Sequence, residues 1–348
     1  MAENWIHRQF ILLQHFSKYA HTLPFHLKKR GFEFNHQNTI AVFAQPRGGS
    51  TWFTNLMASM PKTVKVDGPL YQGPFIPNGQ MPSGETGKLK SLRKLGFHYH
   101  QYIPEGENWE EARAFFHELF SQHFYTPYIF TETPLSELMR AERFVFKFYH
   151  ASLMMPWLIE HFDIKPIFLV RNPYAVVASQ LKYYAFAETI RTGKYLIPKF
   201  KFSEFFNPYL PILDDVSSAV EILAARWCLN YLPLISRKEN NEKWLTVSYE
   251  SVLLHRDWEL NRIFQFIGQP IPENIHLVYD KPSISTSKST EMYHQKVEHL
   301  SNWKNILSRK EIGQINVILE RFGVGGYSEE IEPDYGFIYN GKQTPPEL

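Results

Sequence analysis

Short apolar runs rich in β-branched and aromatic residues alternate along this chain with longer stretches whose apolar positions recur at helical spacing. This alternation is typical of βαβ units, in which helices connect parallel strands. The pattern predicts strands at Thr39–Ala44, Tyr128–Thr131, Arg143–Phe148, Pro166–Val170 and Leu245–Tyr249. It predicts helices at Thr51–Met60, Leu153–His161, Pro173–Phe186, Asp215–Leu234 and Trp258–Ile267. We therefore expect an α/β fold with a mainly parallel sheet of about five strands and helices on both faces.

Three further segments depart from this alternation. Residues 1–38 carry apolar positions near helical spacing and predict a helical extension packed on the domain surface, with weak membrane-surface contact as the alternative. Residues 68–106 are rich in Gly and Pro, and residues 193–211 place six aromatic side chains between helices. Loops of this length inside a compact domain are usually functional. We expect one domain over residues 1–348, with its core at 39–322 and the two excursions at the mouth of an acceptor site.

The composition limits the class of partner. Lys and Arg number 37 against 35 Asp and Glu, and this near balance argues against a nucleic-acid-binding protein. The single cysteine, Cys228, excludes an intramolecular disulfide and indicates a reducing compartment, so a cytoplasmic location is expected. No window approaches the roughly 20 consecutive apolar residues of a membrane-spanning helix. At 44% hydrophobic residues, the chain can bury a sizeable core.

The sharpest local signal is the segment Ala44–Trp52, AQPRGGSTW, which follows an apolar strand and opens a helix. Glycines let the backbone approach an anion closely, and the amides and positive dipole end of the helix start then bind it. The hydroxyls of Ser50 and Thr51 and the planar cation of Arg47 add donors. The segment predicts a phosphate or sulfate site. The nucleotide-triphosphate pattern requires Gly-Lys-Ser/Thr, and here Gly49 stands where that lysine would be.

A second anion site is predicted where the strand Pro166–Val170 ends. Arg171 follows this strand directly, and Asn172 with Pro173 is a good helix start, as cap and first helical residue. Ser179 lies about two turns into that helix. A guanidinium at the carboxyl end of a strand, beside a helix start, is well placed to bind another phosphate.

Together these motifs resemble the sulfotransferases that use 3′-phosphoadenosine 5′-phosphosulfate (PAPS). PRGGSTW is similar to the family's 5′-phosphosulfate loop, and Arg171 followed eight residues later by Ser179 is similar to its 3′-phosphate motif. The segments VSYE, ending in Tyr249 and Glu250, and NWKN, at Asn302–Asn305, resemble later family elements. The resemblance implies a P-loop-like three-layer fold. It also implies in-line transfer of a sulfuryl group to a hydroxyl or phenol, release of adenosine 3′,5′-bisphosphate (PAP), and no metal requirement.

The resemblance also implies roles for single residues. Arg47 matches the family's catalytic Lys or Arg, and Trp52 matches the tryptophan that stacks on adenine. Tyr249 joins the donor-binding set. Two departures stand out: Gly48 replaces the usual serine, and the family's Arg-Lys-Gly segment ahead of Trp303 is missing. Lys288 or Lys296 is the expected substitute at the 3′-phosphate. The donor-binding set implied by the resemblance is Arg47, Gly48, Gly49, Ser50, Thr51, Trp52, Arg171, Ser179, Tyr249 and Lys288.

Two residues compete for the role of the general base that takes the acceptor's proton. His150 follows the strand Arg143–Phe148, one residue later than the histidine of cytosolic family members. Asp67 stands where some bacterial and tyrosine-protein members carry a catalytic glutamate. Lys147 aligns with the family lysine that contacts the sulfuryl oxygens. All three are candidate catalytic residues alongside Arg47.

Two other functions remain open at this point. A P-loop kinase acting on a small molecule would need a catalytic lysine from elsewhere in the chain, and a nucleotide-binding protein without turnover would keep the same loop. We expect the acceptor to be a small molecule or a peptide with a hydroxyl, and a phenol, an alcohol, a sterol-like molecule and a peptide tyrosine all remain open. The aromatic side chains of residues 195–209 suggest an apolar lid over it, or a helical excursion packed on the core.

Overall fold

The computed structural model describes residues 38–70, 92–97, 100–123, 133–149, 151–183, 194–195, 197, 199–281 and 296–346. Its strands are β1 (Thr39–Phe43), β2 (Thr63–Asp67), β3 (Arg143–Phe148), β4 (Lys165–Val170) and β5 (Leu245–Ser248). They form one sheet in the order β2-β3-β1-β4-β5. Every neighbouring pair runs parallel. The predicted α/β class and its five-stranded parallel sheet are confirmed.

One edge strand of the observed sheet differs from the predicted set of strands. Four predicted strands are present within a residue of their expected ends, while Tyr128–Thr131 lies outside the described residues. The strand Thr63–Asp67 was not predicted. It is an edge strand whose residues alternate between buried Val64 or Val66 and partly exposed polar neighbours. Because only one of its faces is buried, it lacks the continuous apolar run that marks a central strand.

The helices connect the strands and pack on the sheet. Short 3₁₀ turns lie at Ser152–Met154, Ser203–Tyr209 and Asn302–Asn305. The α-helices are α1 (Ser50–Met57), α2 (Glu110–Phe120), α3 (Leu135–Arg140), α4 (Met155–His161), α5 (Pro173–Leu181), α6 (Leu210–Asp214), α7 (Ala219–Ile235), α8 (Tyr249–Leu254), α9 (Arg256–Ile267), α10 (Ile275–Tyr279), α11 (Lys296–Ser301), α12 (Arg309–Arg321) and α13 (Tyr335–Ile338).

Helix starts follow their capping residues. The side chain of Asn172 accepts a hydrogen bond from the Ala175 amide, so α5 begins at Pro173 as predicted. Helix α7 begins four residues later than predicted. There Ser218 and Glu221 form a reciprocal capping box, which satisfies the first free amides of the helix.

The sheet separates two hydrophobic clusters. Along β1 the side chains alternate, so that Ala41 and Phe43 face one cluster while Ile40 and Val42 face the other. Apolar residues of α2, α4, α5, α7 and α12 fill the first cluster, and those of α1, α8, α9 and α10 fill the second. Helices therefore cover both faces, and the three-layer arrangement is confirmed.

The two excursions meet one another on the first of these faces. The rings of Tyr102 and Phe205 stack at a centroid distance of 4.0 Å. The side-chain amide of Gln101 donates to the Lys201 carbonyl at 2.8 Å. Phe206 is fully buried in the first cluster. The aromatic residues described between 199 and 211 thus pack on the core, and their predicted place at an acceptor mouth stays a prediction.

In the part of the chain that the structure describes, no helix is both long enough and apolar enough to cross a bilayer. The predicted N-terminal helical extension at 1–38 lies outside the described residues, apart from its last position.

Candidate active site

Several of the predicted side chains that the structure describes lie at the carboxyl edge of the sheet. The glycine-containing loop follows β1, Arg171 follows β4, and Tyr249 follows β5. On the other side of β1, Lys147 of β3 and Asp67 of β2 are direct neighbours in the parallel register. Since β1 lies between β3 and β4, the loop stands between two groups of polar side chains. Open parallel sheets bind ligands at this edge.

Hydrogen bonds join the loop to α7. The Gln45 amide donates to the Tyr231 hydroxyl at 3.1 Å. The Gln45 side chain donates to the Arg226 carbonyl at 2.9 Å. On the outer side, the side-chain amide of Gln180 donates to the Pro46 carbonyl at 2.8 Å. These bonds tie the loop to two helices that lie far from it in sequence, so its shape is set before any ligand arrives.

Gly49 precedes α1 and has a φ of 86°, a left-handed conformation that glycine adopts without strain. A Cβ at this position would lie 2.5 Å from two carbons of the Tyr249 ring. At Gly48 a Cβ would lie 2.9 Å from the Gln45 carbonyl oxygen and 3.0 Å from the Tyr231 hydroxyl. The Tyr231 hydroxyl thus takes the space beside Gly48, the position at which the family that the sequence resembles usually has a serine.

Arg47 and Arg171 lie together with Ser179 on the β4 side of the loop. The Arg47 Nε donates to the Ser179 Oγ at 2.9 Å. The Arg171 Nη1 donates to the Arg47 carbonyl at 3.1 Å. Burial and the neighbouring Arg171 charge lower the pKa of Arg47 from its ordinary value. Two guanidinium groups and a hydroxyl at one place form a site suited to a doubly charged anion.

Arg171 has a buried hydrogen-bond donor that could bind such an anion. Its guanidinium stands over the Tyr249 ring, 4.4 Å from the centroid. Its carbonyl accepts a hydrogen bond from the Trp227 indole at 2.9 Å. The Nε atom is buried and has no hydrogen-bond partner among the described residues. Since a buried donor is normally satisfied, this atom fits a phosphate oxygen.

Lys147 occupies the opposite side of the loop and is largely buried. Its Nζ donates to the Thr51 Oγ1 at 3.1 Å. The same Nζ lies 2.7 Å from Oδ1 and 2.9 Å from Oδ2 of Asp67. The structure thus brings Asp67, Lys147 and Thr51 together at the start of α1. At this helix start the cation can bind an anionic group, and the carboxylate beside it can accept a proton.

Trp52 is buried behind the loop. Its indole donates to the Tyr279 carbonyl at 3.2 Å, and its ring meets the Tyr249 ring edge-on at 5.6 Å. Most of its surface is thereby covered by protein. Its predicted contact with adenine stays a prediction. Ser50 is also buried, and its carbonyl accepts a hydrogen bond from the Thr54 hydroxyl at 2.8 Å.

His299 of α11 was not singled out from the sequence, yet it belongs to this site. Its Nε2 and the Tyr249 hydroxyl are hydrogen-bonded at 3.1 Å. Burial, reinforced by the Arg171 charge, lowers the pKa of His299 to about 4, so it is neutral at pH 7. Its signal in the sequence is weak, because 50 residues separate it from its partner and the chain has 15 histidines.

For three predicted site residues the structure describes no side chain. His150 and Lys288 lie outside the described residues. Lys296 begins α11, but its side chain is also outside them. Trp303, in the predicted late element, is buried and stacks on Tyr174 at 4.7 Å, so it helps to hold α5 in place.

A family model described as the sulfotransferase family matches residues 39–273. This match covers more than half of the chain. The chain belongs to the sulfotransferase family. The matched part contains the loop at 44–52, Arg171 with Ser179, and Tyr249, whereas the segment that carries His299 and Trp303 lies beyond it.

Solved sulfotransferase structures are similar to this family member at low identity. A mouse sulfotransferase, SULT7A1 complexed with PAP, is 13% identical, with 86% of this chain and 90% of that chain covered and a TM-score of 0.42. The sulfotransferase domain of the Synechococcus PCC 7002 olefin synthase is 17% identical, with 83% and 94% covered and a TM-score of 0.40. The sulfotransferase domain from the curacin biosynthetic pathway is 16% identical, with 82% and 97% covered and a TM-score of 0.40. No curated protein matches.

Proposed function

We propose that this protein transfers the sulfuryl group of PAPS to a hydroxyl or phenol acceptor and releases PAP. The observation that supports this most is the pair of polar groups on either side of the loop. Arg47, Arg171 and Ser179 lie on the β4 side, and Lys147 with Thr51 lies on the β3 side. A donor with one anionic group at its 3′ end and another at its 5′ end fits such an arrangement, as does its bisphosphate product.

In this proposal each side of the loop binds one end of the donor. Arg171 and Ser179 bind the 3′-phosphate. The buried Nε of Arg171, which has no hydrogen-bond partner among the described residues, would donate to a phosphate oxygen. The amides of Gly48 to Thr51 and the hydroxyls of Ser50 and Thr51 bind the 5′ end. Arg47, whose Nε donates to Ser179, would offset the charge that builds on the bridging oxygen.

Lys147 and Asp67 are the residues best placed for the acceptor side. Lys147 would contact the sulfuryl oxygens, and Asp67 beside it would accept the acceptor's proton unless His150 does. The transfer itself is positioning plus charge stabilisation, with donor and acceptor oxygens in line. The sulfuryl group carries less negative charge than a γ-phosphoryl group, so these cations would permit nucleophilic approach without magnesium. We further propose a small-molecule or peptide acceptor and a cytoplasmic location.

The donor assignment is tested by a thermal shift of the purified protein with PAP, measured against ATP plus magnesium. A ligand that binds only the folded state raises the midpoint by mass action, so PAP without metal should raise it. Arg171→Ala should abolish most of that shift, since it removes the guanidinium assigned to the 3′-phosphate. A shift with ATP–magnesium alone would refute the proposal and favour the small-molecule kinase. Binding of PAPS without transfer to any acceptor in a broad panel would favour a protein without turnover.

A further inference from the structure

Glu250 is a fully buried carboxylate that the proposed chemistry does not use. It is the second residue of α8, next to Tyr249, and only 1% of its surface is exposed. One of its oxygens accepts a hydrogen bond from the Asn172 amide at 2.9 Å. The other accepts one from the Ser248 hydroxyl at 2.8 Å. The carboxylate is therefore bonded to the residue that directly follows Arg171.

Asn172 joins Arg171 to α5. Its own side chain caps α5 by accepting a hydrogen bond from the Ala175 amide at 3.2 Å. Helix α5 carries Ser179, which holds Arg47. The turn at Asn172 thus sets both the exit direction of Arg171 from β4 and the start of the helix that supplies Ser179. Glu250 fixes that turn through the main-chain amide, which no other side chain in the described contacts does.

Tyr249 and Glu250 hold the same cation from two directions. The Tyr249 ring lies under the Arg171 guanidinium at 4.4 Å, while Glu250 holds the main chain one residue on. The first two residues of α8 therefore contact Arg171 through its side chain and the main chain that directly follows it. The Tyr-Glu pair, which resembles a family element in the sequence, thus has a geometric role beside Arg171.

Burial and the proximity of an anion site both act against a carboxylate at this place. A negative charge beneath an anion site opposes the binding of a phosphate. Burial raises the pKa of Glu250, while its hydrogen bonds and the Arg171 charge act in the opposite direction. A buried carboxylate in an anion site is costly and needs a compensating role, and the hydrogen bond to the Asn172 amide supplies one.

We propose that Glu250 is a positioning residue of the donor site, which sets Arg171 for the 3′-phosphate by accepting the Asn172 amide hydrogen bond. The proposal rests on the proposed function, because it takes Arg171 to be the 3′-phosphate ligand. Glu250 itself does not touch the donor. Its substitution should therefore change the preference for a ligand with a 3′-phosphate and leave the binding of the 5′ end nearly intact.

Two substitutions separate position from charge. Glu250→Gln keeps an oxygen at the same reach for the Asn172 amide and removes the charge. Glu250→Asp keeps the charge and shortens the side chain by one methylene, which withdraws the oxygen from that amide. The readout is the ratio of the dissociation constants of adenosine 5′-monophosphate and PAP, which differ by the 3′-phosphate, measured by calorimetry in the full-length protein.

We expect Glu250→Asp to lower this ratio by roughly 10-fold, the equivalent of one well-placed hydrogen bond to a charged group, with adenosine 5′-monophosphate bound as in the wild type. Glu250→Gln should keep the ratio or raise it. Glu259→Asp is the matched control, since Glu259 is equally buried but pairs with Arg262 and Ser251. It should reduce stability and leave the ratio unchanged.

The opposite pattern, with the ratio kept in Glu250→Asp and lost in Glu250→Gln, would mean that the charge matters and would overturn the positioning role. Equal weakening of both ligands in Glu250→Asp would show a merely structural residue and would also overturn it. The wild type decides the proposed function separately. If the wild type does not prefer PAP over adenosine 5′-monophosphate, the assignment of a 3′-phosphate site is refuted. The positioning role of Glu250 is then refuted as well.

Discussion

The charged groups of the candidate site include two arginines, a lysine and a carboxylate, and their pairing decides what each can do. Asp67 is bonded to Lys147 through both oxygens. Arg47 lies near Arg171, and this second positive charge adds to burial in lowering the pKa of Arg47. A bound anion would relieve the repulsion between the two guanidinium groups. The β4 side therefore favours anion binding, and the β3 side offers both a cation and a proton acceptor.

The choice between the two candidate bases is a prediction at the residue scale. We expect Asp67→Asn to lower turnover with saturating PAPS by ~10²-fold or more if Asp67 takes the acceptor's proton, with PAP affinity little changed. His150→Ala is measured alongside, because the loss of turnover should fall on only one of them. Glu142→Gln is the control, since Glu142 is exposed and pairs with Lys62 at the edge of the sheet. Full turnover in both Asp67→Asn and His150→Ala would exclude both assignments.

His299 predicts a pH dependence of stability. Its pKa in the folded protein is about 4, below the ordinary 6.5, so between these values the unfolded chain binds a proton that the folded chain does not. Stability should therefore fall as the pH drops from about 6.5 to about 4, by at most about 1.4 kcal/mol per pH unit. Above that window His299 contributes no pH dependence.

Urea unfolding at pH 7 and pH 4.5 measures this effect. His299→Gln should lose less stability between the two pH values than the wild type, because the variant has no group to protonate in the unfolded state. His276→Gln should behave as the wild type, since that histidine is exposed on α10 and contacts only the Glu273 carbonyl in the described bonds. Equal losses in all three proteins would contradict the assignment.

At the scale of elements, the loop between β1 and α1 depends on a close approach to α8. Gly49 both adopts a left-handed φ and leaves room for the Tyr249 ring. That ring in turn supports Arg171. The loop, the start of α8 and the end of β4 are thus one packed unit, and a change in the loop reaches the second anion site through Tyr249.

Gly49→Ala should destabilise the protein and weaken PAP binding. The backbone strain costs about 1 kcal/mol, and the clash with Tyr249 adds about 1–3 kcal/mol as overpacking. Gly268→Ala is the matched control: its φ is 68°, but a Cβ there would meet no atom within 4 Å. Thermal unfolding and PAP affinity are measured for both. A PAP affinity in Gly49→Ala equal to that in Gly268→Ala would show that the Tyr249 contact does not support the site.

Over the whole molecule, the C-terminal segment covers the edge of the sheet at β5. The Ser248 amide of this edge strand donates to the Tyr339 hydroxyl at 3.2 Å, and the Thr246 amide donates to the Asn241 side chain at 3.0 Å. The Tyr339 hydroxyl also lies 3.1 Å from a Glu259 oxygen and donates to it. An edge strand exposes unpaired amides, and here the distant Tyr339 satisfies one of them and the nearby Asn241 another.

Tyr339→Phe should lower the free energy of unfolding by about 1–3 kcal/mol, because it leaves a buried amide and a buried carboxylate each short of one hydrogen bond. Tyr335→Phe in the same segment is the comparison, since its hydroxyl bonds to the partly exposed Glu332 at 2.8 Å, and its loss should cost less. Urea unfolding gives both values. A cost in Tyr335→Phe as large as in Tyr339→Phe would refute the role of Tyr339 at the sheet edge.

Local patterns in the sequence were sufficient for much of the fold and for the loop. The apolar run before Ala44, the glycines at 48 and 49, and the cap at Asn172 act over a few residues, so their consequences can be read without knowledge of distant contacts. Strand β2 was not predicted, because an edge strand with one buried face lacks a continuous apolar run. The start of α7 lies four residues after the predicted one, at a capping box of Ser218 and Glu221 whose spacing is itself local.

The arrangement of the site could be decided only by the tertiary structure. The sequence by itself predicted anion sites at Arg47 and Arg171, placed Lys147 near the end of one strand, and placed Tyr249 and Glu250 at the end of another. That Arg47 reaches Ser179 across 132 positions, or that Glu250 holds the Asn172 amide across 78, follows from the strand order β2-β3-β1-β4-β5. This order differs from the order in the chain, so the contacts exist only once the helices have brought β4 and β5 together on one side of β1.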